Sequence, residues 1–565
     1  MIKFNKIWIL LFVFIGIGLI PGFMLAQEFA LYILPDSVRL HLVFPVDGDS
    51  LNFDRIRYAG SALPTAQIKV QGQDTRVYPS GAFVGLVELE PGQNTIIFTA
   101  QDSFGILSDT LHVYRKPPMS SCPEIPTSIN PEHILPAEDI YLSPGDIMDV
   151  EFLGSPGGQA TFSIDKIAKN FNMVELSKRA AKGLRGLYKG TVLIPQLQKY
   201  KTKPVEFKFR GKDGHKLKFK SKGLIHILSR AIPLIGVTTD SINLVRTSVD
   251  GEIWMELPPD IKLQIIGERD GFKKVRFAEN VIGYMASNTL KPLPFGSTLP
   301  HATVGSIGTL KMGDWIQLRI NLSEKVPFKI EQLIDPAALE ITFYRASQAP
   351  HWITYPQNDD TIRMIQWCQV SSDMFVLRVS LNQKQQWGHY GRYVGRQFWL
   401  NIRRSPEFSL QPDSLLQGLI ITVDPGHGGE AEGAVSATNL LEKNVNLHYA
   451  QLVADLLEAE GATVIRTRTR DTTLSLRERI ALAREAHSHI FLSLHNNSIA
   501  ASTNPLRPRG TSTYYTVPQS QAIAKAVYRR LLDLGLPPFG RVSSTYFVTR
   551  QTSLLSFLVE GAFMS

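Results

Sequence analysis

Cysteine is nearly absent. The 565 residues contain two, Cys122 and Cys368, far apart and in different expected domains, so there is no disulfide framework; two separate thiols are the expected state, and neither setting suggests a nucleophile. Other signatures are missing as well. No HExxH run is present, which removes the commonest class of zinc peptidase. There is no serine-centred nucleophile elbow and no Walker-type phosphate loop. No cysteine follows the N-terminal apolar run, which argues against a lipoprotein anchor.

That apolar run extends from Ile7 to Ile20, behind Lys3 and Lys6 and ahead of Pro21-Gly22 and Ala26. Residues 1–26 therefore read as a secretory signal peptide cleaved after Ala26, the alternative being an uncleaved anchor, and the expected location is outside the cytoplasm: periplasm, cell envelope or secreted. The formal charge is +9, part of it in a lysine tract at 199, 201, 203, 208, 212, 216, 218, 220 and 222. The lysines alternate with Phe207, Phe209, Leu217 and Phe219, the pattern of a solvated strand face. The other reading is attraction to an anionic envelope polymer or lipid; nucleic acid is not an expected partner.

The length implies roughly three to five domains. Residues 27–116 carry short alternating runs such as Val84–Leu89 and Thr95–Ala100, which predict a β-sandwich and resemble bacterial immunoglobulin-like modules. Residues 117–136 read as a Pro/Ser-rich linker and 137–234 as a second sandwich-like module. From 235 to 293 four short runs follow one another as in bacterial Src-homology-3-like barrels, with Phe272 where that family usually has Trp. Residues 309–404 are β-rich again, and the run Phe398–Ile402 resembles the last strand of the localisation domains that precede some amidases. Trp352, Trp367, Trp387, Tyr390 and Trp399 offer a glycan-stacking face, with core packing as the default. Residues 405–416 form the last expected linker.

After Gly418 the period changes. Strands are expected at Gly418–Asp424, Ala462–Arg466, Ile490–Leu494, Gly510–Val517 and Ser556–Glu560, and helices at Val445–Ala459, Leu476–Ala486 and Gln521–Leu534. The fold class is thus several all-β modules followed by a C-terminal α/β domain, 417–565, with a mainly parallel sheet and helices on both faces. Ligands gather at the carboxyl ends of strands in such domains, and His427, His495 and Glu560 each follow or end one.

His427, Glu442 and His495 are two imidazoles and a carboxylate, the donor set of a catalytic zinc with one open position. Each also has an ordinary structural explanation: a Gly-rich turn, a carboxylate at a helix N-terminus, a satisfied core histidine. The segments Val423–Gly429, Leu441–Leu447, Ser493–Asn497 and Leu558–Phe563 resemble, in order, the four motifs of the zinc-dependent N-acetylmuramoyl-L-alanine amidases. The resemblance implies one catalytic Zn2+ on His427, Glu442 and His495, with Glu560 as the catalytic general base and acid. Asn497 and Arg509 match positions that orient ligands or touch substrate; a turn role and a strand-edge charge are the alternatives. The implied activity is hydrolysis of the amide between N-acetylmuramic acid and L-alanine of the stem peptide. Peptidoglycan is the implied partner, with envelope activators or division proteins as further candidates. The rival readings are a non-catalytic peptidoglycan binder or activator, and a zinc peptidase acting within the stem peptide. Relatives continue beyond the equivalent of Ser565 with a terminal helix, so packing around Glu560 is an open expectation.

Overall fold

The computed structural model describes residues 40–196, 202–228, 233–356, 359–407, 409, 414–507 and 509–564. The expected signal peptide and the first lysines of the basic tract, Lys199 and Lys201, lie outside the described residues. A three-stranded and a five-stranded sheet form the first module. Period-two alternation builds its core: the strand Gly92–Asp102 buries Ile96, Phe98 and Ala100 against Ile56 and Phe83.

The stretch expected to be a linker contributes a strand, Ile129–Leu135, which pairs antiparallel with Ile147–Gly154. Pro131 argued against a strand, but this one ends its sheet, where a missing N–H is tolerated. The second module and the barrel are also less separate than expected. One hydrogen-bonded network of 15 strands runs through both, joined where Ile140–Leu142 pairs with Lys216–Ile227 on one side and meets Glu268 through Tyr141 on the other. In the described part of the basic tract, Phe207 and Phe209 are buried while Lys208, Lys216, Lys218 and Lys220 are exposed, a solvated strand face.

The next unit begins at Ala302 rather than Thr309: five strands stack on four around Ile316, Leu318, Phe343, Phe375 and Leu400. Its aromatics do not make one face. Trp367 is exposed on the four-stranded sheet, Trp399 lies on the five-stranded sheet between the guanidinium groups of Arg319 and Arg392, and Trp387 is 2% exposed inside the hydrophobic core of the following domain.

That domain comprises β1 (Ile420–Pro425), α1 (Glu442–Ala459), β2 (Thr463–Arg466), α2 (Leu476–Glu485), β3 (Ile490–Asn497), β4 (Thr511–Tyr515), α3 (Gln521–Asp533), β5 (Pro538–Ser543) and β6 (Leu555–Phe563). The sheet order is β2-β1-β3-β6-β4-β5, with β2, β1, β3 and β6 parallel and β4 antiparallel to β6. Ala450, Ala454 and Leu457 of α1 and Ile523, Ala524 and Val527 of α3 pack with Ile421, Val423, Ile490 and Leu492. Ile480 and Ala483 of α2 pack instead with Phe491 and Leu558, the alternate residues of the same strands. The start of α2 is legible in Ser-Leu-Arg-Glu: the Ser475 hydroxyl accepts from the Glu478 N–H and the Glu478 carboxylate accepts from the Ser475 N–H, a capping box. Strand β5 falls in a stretch with no expected element; it starts at Pro538, contains Gly540 and lies at the sheet edge, where such residues fit a strand.

The modules dock through buried polar contacts. The Arg403 guanidinium, 2% exposed, donates to the carbonyls of His487 and Ser488, Gln332 exchanges hydrogen bonds with Gln519, and Arg550 pairs with Glu256 of the barrel at 2.7 Å. His489 sits at this seam and accepts the Ile420 N–H on Nδ1 at 3.0 Å. Burial, with Arg403 adding and Asp314 opposing, pushes the His489 imidazole down to about 4. Burial alone does the same to His389, also about 4. Both are neutral in the fold, whereas in the unfolded chain they take up protons below about 6.5. Their stabilisation is therefore complete above that pH and is lost as pH falls toward 4. Thermal melting should show a falling Tm from pH 7 to 5, each histidine costing about 2 kcal/mol at about pH 5. The variant His489→Gln keeps an acceptor and should flatten part of that fall; an unchanged slope would refute the assignment.

Candidate active site

β1 ends by running from Asp424 and Pro425 into Gly426, and the next residue, His427, has φ +61°, left-handed backbone that a non-glycine residue adopts only when its surroundings enforce it. The enforcement is visible below the turn. Asp424 is 1% exposed and accepts hydrogen bonds from the Thr467 hydroxyl (2.6 Å), the Ser493 hydroxyl (2.8 Å) and Arg479 Nη1 (2.7 Å). The same guanidinium donates to the carbonyls of Pro425 and, through Nη2, His427 at 2.7 Å. Arg468 clamps the other side, donating to the carbonyls of Pro425, Gly426 and Lys443.

Three expected residues meet above this turn. His427 Nε2 lies 3.2 Å from Glu442 Oε2, His495 Nδ1 lies 3.1 Å from Glu442 Oε1, and the two rings are edge to face with centroids 4.9 Å apart. Glycine is required around them at two places. A Cβ on Gly426 would fall 2.1 Å from the His495 ring, and one on Gly433, at φ +75°, would strike both Glu442 Oε2 and the His427 ring. Glu442 opens α1, is 3% exposed, and also accepts from the Ala434 N–H, the Asn446 amide and the Asn496 N–H. Despite its burial, these donors and the two imidazoles hold its carboxyl far below the usual range.

The donor set fits a zinc-type ion. The ligand atoms lie within 4.8 Å of one another. The two imidazole–carboxylate separations, 3.2 and 3.1 Å, are close to the edge of about 3.3 Å expected between N/O ligands 2.0–2.1 Å from a tetrahedral centre.

The fourth expected residue, Glu560, lies on β6 opposite His495 in the parallel register and opposite Ser512 in the antiparallel one, so it is tied on both sides. Its Oε2 is buried without a hydrogen-bond partner. Burial, followed by repulsion from Glu442, pushes its carboxyl up to about 8. A buried acceptor with no donor is a group held ready for one.

Asn497 ends β3, its side-chain amide donates to the Ser512 hydroxyl (3.1 Å), and its backbone carbonyl accepts the Met564 N–H. Arg509 lies partly buried in the loop leading into β4. The supporting residues were not read from the sequence. Asn446 bonds both Glu442 and the Gly426 carbonyl, and Asn496 bonds Asn446. Asn446 had a signal, since it lies four residues after Glu442 on one helix face. Asp424, Arg468 and Arg479 carried none that spacing could show.

The first module also reaches this rim. The Arg57 N–H donates to the Ala501 carbonyl at 2.7 Å, and Ala437, between His427 and Glu442 in sequence, is buried with Ala59 and Val84.

The sequence family described as N-acetylmuramoyl-L-alanine amidase matches residues 421–565. The N-acetylmuramoyl-L-alanine amidase LytC of Bacillus subtilis (strain 168) is 35% identical over 153 residues, 26% of this chain and 30% of LytC. The uncharacterized protein YqiI of the same strain is 34% identical over 155 residues, 26% of this chain and 72% of YqiI. The probable cell wall amidase LytH of Staphylococcus aureus is 35% identical over 153 residues, 26% of this chain and 50% of LytH. The match thus spans half or less of LytC and LytH.

The buried ion pair under the turn is open to test. Arg479→Met leaves Asp424 charged and unpaired in the core, and urea unfolding should show a loss of about 3–5 kcal/mol. Adding Asp424→Asn should recover part of it. Single and double variants of equal stability would show that the pair does not hold the turn.

Proposed function

Residues 421–565 make this chain a member of the N-acetylmuramoyl-L-alanine amidase family, and from that membership we propose that it is a zinc-dependent peptidoglycan hydrolase cutting the amide between N-acetylmuramic acid and L-alanine of the stem peptide. The observation that carries the proposal is the meeting, in that segment, of a two-histidine, one-carboxylate cluster with a buried, unpartnered carboxylate on the adjoining strand. In this reading His427, Glu442 and His495 hold one zinc ion. When bound, zinc polarises an amide carbonyl and lowers the pKa of a water toward neutrality.

The remaining work falls to the chain. Glu442 is kept ionised by its donors and positions both imidazoles. Glu560 accepts a proton from the attacking water and returns it to the departing alanine nitrogen, leaving a lactyl carboxylate on the sugar and a free amine on the peptide. Burial raises this carboxyl toward the working pH, so that its ionised form is a stronger base for the water and its protonated form remains acidic enough to return the proton to the leaving nitrogen. Asn497 and Arg509 are assigned to the substrate-facing rim, where Asn497 acts through Ser512. The immunoglobulin-like, barrel and localisation-like modules hold the enzyme on its polymer. Action outside the cytoplasm is the reading that the signal-like residues 1–26 and the cell wall amidase among the relatives support. Among the described residues no helix is long and apolar enough to cross a membrane.

Two measurements test this. Purified peptidoglycan treated with the full chain should yield intact stem peptides beginning at alanine by mass spectrometry; chelator should abolish release and zinc restore it. Cuts inside the stem peptide would replace the amidase reading by a peptidase, and no release would favour a binder. Glu560→Gln should lower kcat by about 10²–10⁴-fold with metal content unchanged, whereas His495→Ala should lose the metal. Retained turnover in Glu560→Gln would remove that residue from the reaction.

A further inference from the structure

A cavity of about 960 Å³ opens where the barrel, the localisation-like module and the C-terminal domain meet. It is not part of the metal site. Its lining from the C-terminal domain, including Arg484, His487, Ser488, Thr516–Pro518 and Ser553–Leu554, precedes β3 and β6 or follows the antiparallel β4. These are the amino ends of the parallel strands, whereas His427, His495 and Glu560 lie toward their carboxyl ends; the five residue-to-residue steps of β3 from Ile490 to His495 put about 16 Å between the two levels.

Its chemistry is specific. Trp254, Trp315 and Tyr390 contribute partly exposed aromatic rings from two modules. Lys329, Arg403, Arg484 and Arg550 line it against only Glu256 and Glu331. Lys329 pairs with Glu331 at 2.9 Å and Arg550 with Glu256 at 2.7 Å. Arg403 and Arg484 instead donate to neutral groups, the carbonyls of His487 and Ser488 and the Gln551 side chain. Asp314 is the further carboxylate acting on Arg403. Four lining atoms are buried without hydrogen-bond partners: Nδ1 of His389, a residue 3% exposed, the Ser553 hydroxyl, and the Nε groups of Arg403 and of the ion-paired Arg550. A buried polar group without a partner is costly unless a ligand or water completes it.

We propose that this cavity is a second binding site, and that its ligand is a short acidic oligosaccharide: peptide-free glycan whose muramic acid residues carry free lactyl carboxylates. Sugar rings present apolar faces to the tryptophans, hydroxyl and N-acetyl groups satisfy His389 and Ser553, and a carboxylate meets Arg484 and Arg403. The size lies near the top of the range of about 300–1,000 Å³ typical of small-ligand pockets. The identity of the carboxylate rests on the proposed amide hydrolysis, which produces it; the cavity would then keep the enzyme on glycan it has already stripped.

The test uses the full chain and reads binding, not turnover. Calorimetric titration with a peptide-free N-acetylglucosamine–N-acetylmuramic acid oligosaccharide is compared with an uncharged N-acetylglucosamine oligomer of equal length. The acidic sugar should bind at least about tenfold tighter, and Arg484→Gln should erase that preference. Trp254→Ala, with melting checked, should weaken both sugars. Equal affinity for the two sugars, or an Arg484→Gln protein that binds like the parent, overturns the proposal. Release of alanine-started peptides, measured separately, keeps the two readings apart. Peptide release with no Arg484-dependent binding removes the cavity alone. Arg484-dependent binding without peptide release removes the amidase reading and leaves the cavity.

Discussion

The site depends on a charge placed where water cannot reach it. Asp424 lies at the carboxyl end of β1 with its carboxylate in the core, and an ion in that position is tolerable only if its partners are complete. They are: two hydroxyls and the Arg479 guanidinium, which then reaches past the carboxylate to the carbonyls of the turn. One buried pair thus fixes the strand end, the entry to α2, which carries Arg479, and the backbone orientation of His427. The left-handed conformation of that histidine is a consequence of this anchoring.

From that anchor the site is assembled by short links between neighbouring strands. β1, β3 and β6 are parallel neighbours, so consecutive strand ends present His427, His495 and Glu560 side by side. Glu442 arrives from a helix, and its position is secured by Asn446 one turn on and by Asn496 beside the second histidine. Both Glu442 and Glu560 are carboxylates in a protected place, yet their environments drive them apart. Glu442 is surrounded by donors and stays ionised, while Glu560 has no donor on its buried Oε2 and retains its proton more readily.

What could be read from the chain alone follows from what was local. The strand–helix alternation after Gly418, the capping box at Ser475 and the four motif residues all announce themselves within a few positions. Strand ends were misjudged where the pairing partner, not the segment, decides: β3 extends to Asn497 and β6 to Phe563 because each is hydrogen-bonded to its neighbour that far. Proline misled at Ile129–Leu135, because the sequence does not say which strands will lie at an edge. The aromatic face that stood as the alternative to core packing for five residues dissolved for a similar reason, since sequence proximity does not place Trp367 and Trp399 on one sheet. Arg403, Arg468 and Arg479 were invisible, as a buried arginine looks like any other until its acceptors are seen.

Trp387 carries one further consequence. Its indole is part of the hydrophobic core built by Leu416, Ile421, Leu457 and Phe557, although it belongs in sequence to the module before the last linker. A boundary drawn through residues 405–416 therefore separates two names but not two bodies. Exchanging the upstream module for another, or expressing the final 149-residue stretch expected from 417 to 565 alone, would remove a side chain the size of an indole from the C-terminal domain's own interior. Modularity in this chain is a property of its genetic order more than of its mechanics.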